Sequence, residues 1–297
     1  MKSTLAMMVV LLAANMAMAQ ANAGKTPTPA QGAQGSAAPA PTGQHPPQAK
    51  SKEEFDAYNL AASKTDPAQA VAAADEFAQK FPTSELKELL YVRAMNLYQQ
   101  QNNSAKVIAV GRKAIELNPT DPIPLVAVAS ALVMDTRDTD LDRDARYAEA
   151  SKDAQAALDN VDTGLQVPPN APPDRVALAK ANLRSIAYDT LGVIAMNKKD
   201  YASAEQNFQK AADLMKDQPD AVVYLRLSVA QDNEKKYQAA LDSANKAAQY
   251  APEGTAEKNL AKQQQDRLQK LLADKSTSSA PAATTAPPTP PPSTTPH

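Results

Sequence analysis

The 297-residue chain has no cysteine, no tryptophan, only two histidines and only eight glycines. Each shortage removes a class of chemistry. Without thiols there is no disulfide framework, no cysteine nucleophile and no thiolate metal site. The two histidines, His45 and His297, lie in the terminal stretches. The central part therefore lacks an imidazole for a general base, a Ser-His-Asp triad or a common zinc site. Between residues 50 and 275 the glycines are Gly111, Gly164, Gly192 and Gly254, too scattered for a phosphate-cradling loop. A formal net charge of −2 offers no electrostatic footprint for nucleic acid. No catalytic residue, metal or cofactor is expected, although an enzyme using only carboxylates and tyrosine stays open.

What is present divides the chain by composition. Lys2, the apolar run Leu5 to Ala14 and the small-x-small site Ala17-Met18-Ala19 read as a secretory signal over 1–19. The run is too short for a membrane span of about 20 residues, so no integral span is expected. Gln20 stands where a lipoprotein would carry cysteine. These features predict a periplasmic or secreted protein. Residues 20–50 are rich in Ala, Pro, Gly, Gln and Thr without an acidic residue, which predicts a disordered leader. Residues 275–297, rich in Pro, Ser and Thr, predict an extended tail whose Thr284, Thr285, Thr289, Thr294 and Thr295 are compositional candidates for glycosylation. Every acidic residue falls between Glu53 and Asp274, which places the folded part at 51–274.

Inside that part, apolar residues recur at helical spacing, with Ala abundant and few β-branched runs. Asp66-Pro67, Asp121-Pro122 and Thr255 read as helix starts; Phe81-Pro82, Asn118-Pro119 and Pro252 read as ends. One pattern returns: Tyr188, Leu191, Gly192, Ala195, then Ala204, Phe208, Ala211. It recurs at Tyr224, Leu227, Ser228, then Ala240, Ala244, Ala247, Pro252. It recurs again at Tyr91, Ala94, Met95, Tyr98, then Val107, Gly111, Ala114, Pro119. Two short helices with small residues at their crossings cannot bury their apolar faces alone and must stack on copies of themselves.

On these residues the chain resembles the tetratricopeptide repeat family, whose repeat of about 34 residues is a pair of antiparallel helices. Units are placed from Ser51, Glu88, Pro122, Ser185 and Ala221, with Tyr201 and Tyr237 opening the second helix of consecutive units. The resemblance implies an all-α, right-handed α-solenoid of about five helix hairpins. Thr255 to Asp274, with Leu260, Leu268, Leu271 and Leu272 in one stripe, is then a capping helix. Two insertions depart from the pattern, Asp135 to Arg143 and Val161 to about Pro173, and are expected as loops or helix extensions at the edge of the stack.

The resemblance also implies a non-catalytic scaffold whose first helices line a groove for a peptide or partner-protein segment. The positions it assigns to that groove are Arg93, Asn96 and Gln100; Val126, Ser130 and Val133; Asp189, Val193 and Met196; and Leu225, Arg226 and Val229. A narrower reading is a cell-envelope assembly factor of the outer membrane, because Phe77-x-x-x-Phe81-Pro82-Thr83-Ser84 looks like unit endings of exported repeat proteins.

Two other constellations stand out in the sequence. Asp138, Asp140, Asp142, Asp144 and Glu149 are spaced like calcium-loop ligands, but Arg143 stands where that loop requires glycine. A solvated loop charging a helix N-terminus is expected instead. The carboxylates Asp75-Glu76 and Glu85 with Glu88 are expected on exposed helix faces, as solvated ion pairs.

Overall fold

The structure, a computed structural model, describes residues 47–168 and 170–278. The expected signal segment, nearly all of the leader and the threonine-rich end of the tail lie outside the described residues.

Among the described residues there are eleven helices and no strand. Five hairpins follow one another: α1 (Lys52–Ala62) with α2 (Pro67–Lys80), α3 (Leu86–Gln100) with α4 (Ser104–Leu117), α5 (Pro122–Asp135) with α6 (Arg143–Asn160), α7 (Pro173–Asn197) with α8 (Tyr201–Leu214), and α9 (Ala221–Asn233) with α10 (Tyr237–Tyr250). A last helix, α11 (Ala256–Ser278), covers α10 and α9.

The starts follow from capping. The first backbone N–H groups of a helix lack intrahelical partners, and a short polar side chain supplies one. Asp66 accepts from Gln69 N, Asp121 from Ile123 N, Asp200 from Ser203 N, Asp220 from Val222 N and Thr255 from Lys258 N. Pro67 and Pro122 sit in first turns, where a missing N–H costs nothing.

The repeat is also written in the backbone. Asn102, Lys199 and Lys235 have φ of 54°, 61° and 63°, each two residues before a second helix. Behind each, the next N–H reaches back across the turn: Asn103 N to Tyr98 O at 3.0 Å, Asp200 N to Ala195 O at 2.9 Å, Lys236 N to Gln231 O at 2.9 Å. This left-handed closure satisfies orphan carbonyls at the end of the first helix. A matching side-chain signature accompanies it. Lys113 lies over the Tyr91 ring at 5.1 Å, Lys210 over Tyr188 at 5.1 Å and Lys246 over Tyr224 at 5.3 Å, at one common sequence interval.

Each helix packs chiefly on its neighbours in sequence, and the first helices of successive hairpins also touch: α1 with α3, α3 with α5, α5 with α7, α7 with α9. The second helices contact mainly the first helices that flank them. The first-helix side is therefore the inner side of the row. The small residues sit where close approach needs them. Ala204, Phe208 and Ala211 are fully buried, and a Cβ on Gly192 would lie 2.5 Å from Phe208 Cε1.

Three features differ from the sequence reading. The ordered chain extends beyond Ser51, because Ala49 packs on the core and Lys50 N donates to Glu54 Oε2 at 2.7 Å. The cap helix runs to Ser278. The second insertion is not a free edge loop. Val161 and Leu165 are each 1 % exposed, and Gly164 is jammed against the Thr120 carbonyl, so this segment folds back onto the turn between α4 and α5. Beyond it α7 begins at Pro173, well before the unit start placed at Ser185.

Candidate partner-binding site

The inner side is built from α3, α5, α7 and α9, which carry the twelve expected groove residues. The structure does not present them equally. Gln100 is exposed at the end of α3. Arg93 and Asn96 are half-buried; Arg93 Nη2 donates to Lys64 O at 3.3 Å and so ties the second hairpin to the first. Arg93 Nε and Asn96 Oδ1 are buried without a hydrogen-bond partner.

The positions on α5 require a correction. Val126 and Val133, 3 % and 8 % exposed, belong to the core. Helix α5 is apolar on every side and is packed by α4, α6 and α7, leaving it no free apolar face. Of the three expected positions only Ser130 remains partly open, with Met134 exposed one turn beyond it.

The fourth and fifth hairpins bring the remaining residues together. Val193, Met196 and Leu225 are half-buried and lie against the second core, and Val229 is half-buried one turn beyond Leu225 on α9. Beside them Asp189 of α7, 5 % exposed, accepts an ion-paired hydrogen bond from Arg226 of α9. Burial pulls the Arg226 guanidinium down, but Asp189 and Asp220 outweigh it and hold it above its ordinary value. Burial pushes the Asp220 carboxyl up against the bond from Val222 N–H, and Asp189 adds to the rise. Asp189 Oδ1 has no partner. The result is a partly covered apolar strip flanked by a buried ion pair that has an acceptor to spare. An apolar strip beside a polar pair is the kind of surface that suits an apolar peptide segment.

Asp142, Asp144 and Glu149 of the calcium-like segment are turned to arginines. Asp142 pairs with Arg146 Nε at 2.8 Å, and Arg143 lies 3.1 Å from Asp144. Glu149 is held by Arg112 of α4 through two bonds of 2.7 Å. Asp140 Oδ2 accepts from Arg137 N. Among the described residues no group of three acidic or histidine side chains is placed to hold a metal. The Asp75 carboxylate accepts from Tyr91 Oη at 2.6 Å and Lys113 Nζ at 2.7 Å. Burial raises it, yet these bonds leave it below the usual range.

Glu88 corrects the expectation of exposed carboxylates. It is 4 % exposed, accepts from Gln166 Nε2 at 3.0 Å and faces the buried carboxyl of Asp121. Burial, reinforced by Asp121, pushes the Glu88 carboxyl up to about 9. The sequence held a signal for this: Glu88 shares one helical stripe with Tyr91, Met95 and Tyr98, all buried.

No described helix is long and apolar enough to cross a membrane. No family model and no curated protein matches the chain. Among solved structures, the crystal structure of the APC/C hetero-tetramer Cut9-Hcn1 is similar, with 16 % identity and a TM-score of 0.31. The match covers 67 % of this chain and 39 % of that one, so this chain spans well under half of its length. The row of antiparallel helix hairpins with its repeated turn agrees with the all-α solenoid expected from the sequence.

Proposed function

We propose that this protein is an exported, non-catalytic scaffold that holds a peptide or a segment of a partner protein on the inner side of α7 and α9. The observation that carries the reading is the strip Val193, Met196, Leu225 and Val229 beside the Asp189–Arg226 pair, half-buried on the face where successive first helices meet. A partner apolar segment completes the burial of that strip, and Arg226, whose side chain stays 30 % exposed, fixes its register. The sequence features of 1–19 support export, to the periplasm or the exterior.

The test is crosslinking in intact cells followed by purification of the full chain. A photo-crosslinking residue at Met196 should trap a defined partner band, and Val193→Glu should abolish it. Val193→Glu should also leave the helical signal and melting temperature near wild type, since Val193 is only half-buried. Unfolding of that variant, or a crosslink that survives it, defeats the reading. Export is checked separately by N-terminal sequencing, which should find mature protein beginning at Gln20.

A further inference from the structure

The inner strip on α7 and α9 has an occupant within reach in the chain itself, an inference that rests on reading that strip as a binding surface. Val193, Met196, Leu225 and Val229 are only half-buried. Met196 stands one residue before the end of α7, and Val229 one turn before the end of α9. The strip therefore opens toward the edge of the row where these two helices end.

Helix α11 runs toward the same edge. It lies against α10 and α9. Gln264 Nε2 donates to Asp232 Oδ2 at 3.2 Å, and Arg267 pairs with the same carboxylate, one residue before the end of α9. Farther along, Lys275 Nζ lies 4.0 Å from the centre of the Tyr237 ring, at the start of α10. So α11 runs parallel to α9, and its last turns pass the α9–α10 turn. At about 1.5 Å per residue, the stretch from Arg267 to Ser278 carries the chain about 16 Å past Asp232.

Residues 279–297 continue from that point. They contain no Lys, Arg, Asp or Glu and are almost entirely Pro, Ala, Ser and Thr. Such a segment has no charge to strip of water when it lies on an apolar surface. Its prolines hold φ near −65° before any contact, so ordering it costs little backbone entropy. Its carbonyls have no internal partners in a polyproline conformation, and Arg226, 30 % exposed, offers a donor beside the strip. At about 3.1 Å per residue these residues reach about 60 Å. The strip is nearer than that: back to the level of Asp232, then across from α11 to α9 and α7 at about 8–10 Å per helix.

We infer that residues 279–297 fold back in the same molecule and cover Val193, Met196, Leu225 and Val229. Tethered there, the tail is a built-in competitor at an effective concentration of about millimolar, and a partner segment gains the strip by displacing it.

The test uses the purified full chain with a photo-crosslinking residue at Met196. Trypsin releases Ser276–His297 as one peptide, because Lys275 is the last cleavage point. Irradiation should join position 196 to that peptide in a product of monomer mass. Pro287→Asp with Pro288→Asp, which places charges where an apolar surface must strip them of water, should cut this product about tenfold or more and strengthen the partner band trapped in cells. The inference is overturned if the product is absent, if it survives the aspartates, or if its mass is that of a dimer, which assigns the strip to the tail of a second copy. An absent product with the partner band intact sinks the tail alone and leaves the scaffold reading standing. A tail product without any partner band in cells does the reverse.

Discussion

The two halves of the row solve the same packing problem with different materials. Between α3 and α6 the core is built from large side chains: Leu90, Met95, Ile108, Leu125, Val128, Leu132 and Tyr147 are all buried. Between α8 and α10 alanine dominates: Ala204, Ala211, Ala212, Ala230, Ala240, Ala244, Ala247 and Ala248 are buried around Phe208 and Leu227. The first half fills most of its volume with large side chains, with a close crossing at Gly111, and the second relies mainly on alanine. The boundary falls on α7, where Val193 touches both cores. The inner-face strip lies on the alanine side of that boundary, where less side-chain bulk covers it.

The contrast is broken most sharply by opposite substitutions. Leu132→Ala in the first half opens a cavity in a site 1 % exposed and should cost about 2–5 kcal/mol in chemical denaturation. Gly192→Leu at the start of the second half does the reverse. Its Cβ alone would meet Phe208 Cε1 at 2.5 Å, and overpacking should cost about 1–3 kcal/mol. If Gly192→Leu melts like wild type, close approach is not what holds that half together.

The first half also hides an ionisable group, which the second half can be compared with by varying pH. The Glu88 carboxyl stands at about 9 in the fold against an ordinary value of 4.5. A raised carboxyl means that the folded state binds more protons than the unfolded one between those values. Its contribution is complete below about 4.5 and is lost as pH climbs through about 9. Glu88→Gln keeps a hydrogen-bonding side chain and cannot ionise. Urea midpoints measured from pH 5 to pH 9 should fall more steeply for wild type than for the variant. Parallel curves would show that Glu88 ionises freely in the fold.

The smallest effect sharpens the comparison at the turns. Lys199 and Lys235 adopt positive φ in the second half, and Asn102 does so in the first. A left-handed residue with a side chain carries a steric penalty that glycine escapes and asparagine partly tolerates. Lys235→Gly should therefore stabilise by about 0.5–1 kcal/mol, and Asn102→Gly by less. Thermal melts of the two variants check the order.

Much of this was legible in advance. The alternation of Ala with Tyr, Leu and Phe located the hairpins, and Tyr201 and Tyr237 open α8 and α10 as read. Periodicity reports which face of a helix turns inward, so it served wherever one face was polar. It gave no guide on α5, whose pattern has no polar face, and there the family resemblance alone assigned Val126 and Val133 to a surface they do not reach. It also failed on Glu88, where charge suggested exposure and the stripe through Tyr91 and Met95 argued otherwise. The fold-back of Gln166 was invisible for a different reason. Contact between residues 78 positions apart leaves no local period to read. The Tyr–Lys interval shared by three hairpins was readable throughout, since both partners stand in the sequence at matching positions.

That long-range clasp changes how the array comes apart. A row of modules joined only to their immediate neighbours unravels from either end, one module at a time. Here the strap from the third hairpin grips the second, while the late modules are held by the cap helix α11 and by the Asp189–Arg226 pair between α7 and α9. On gentle warming, amide exchange should release the end cap α11 first and α10 and α9 after it, then stop at α7, leaving the forward part to go in a single step.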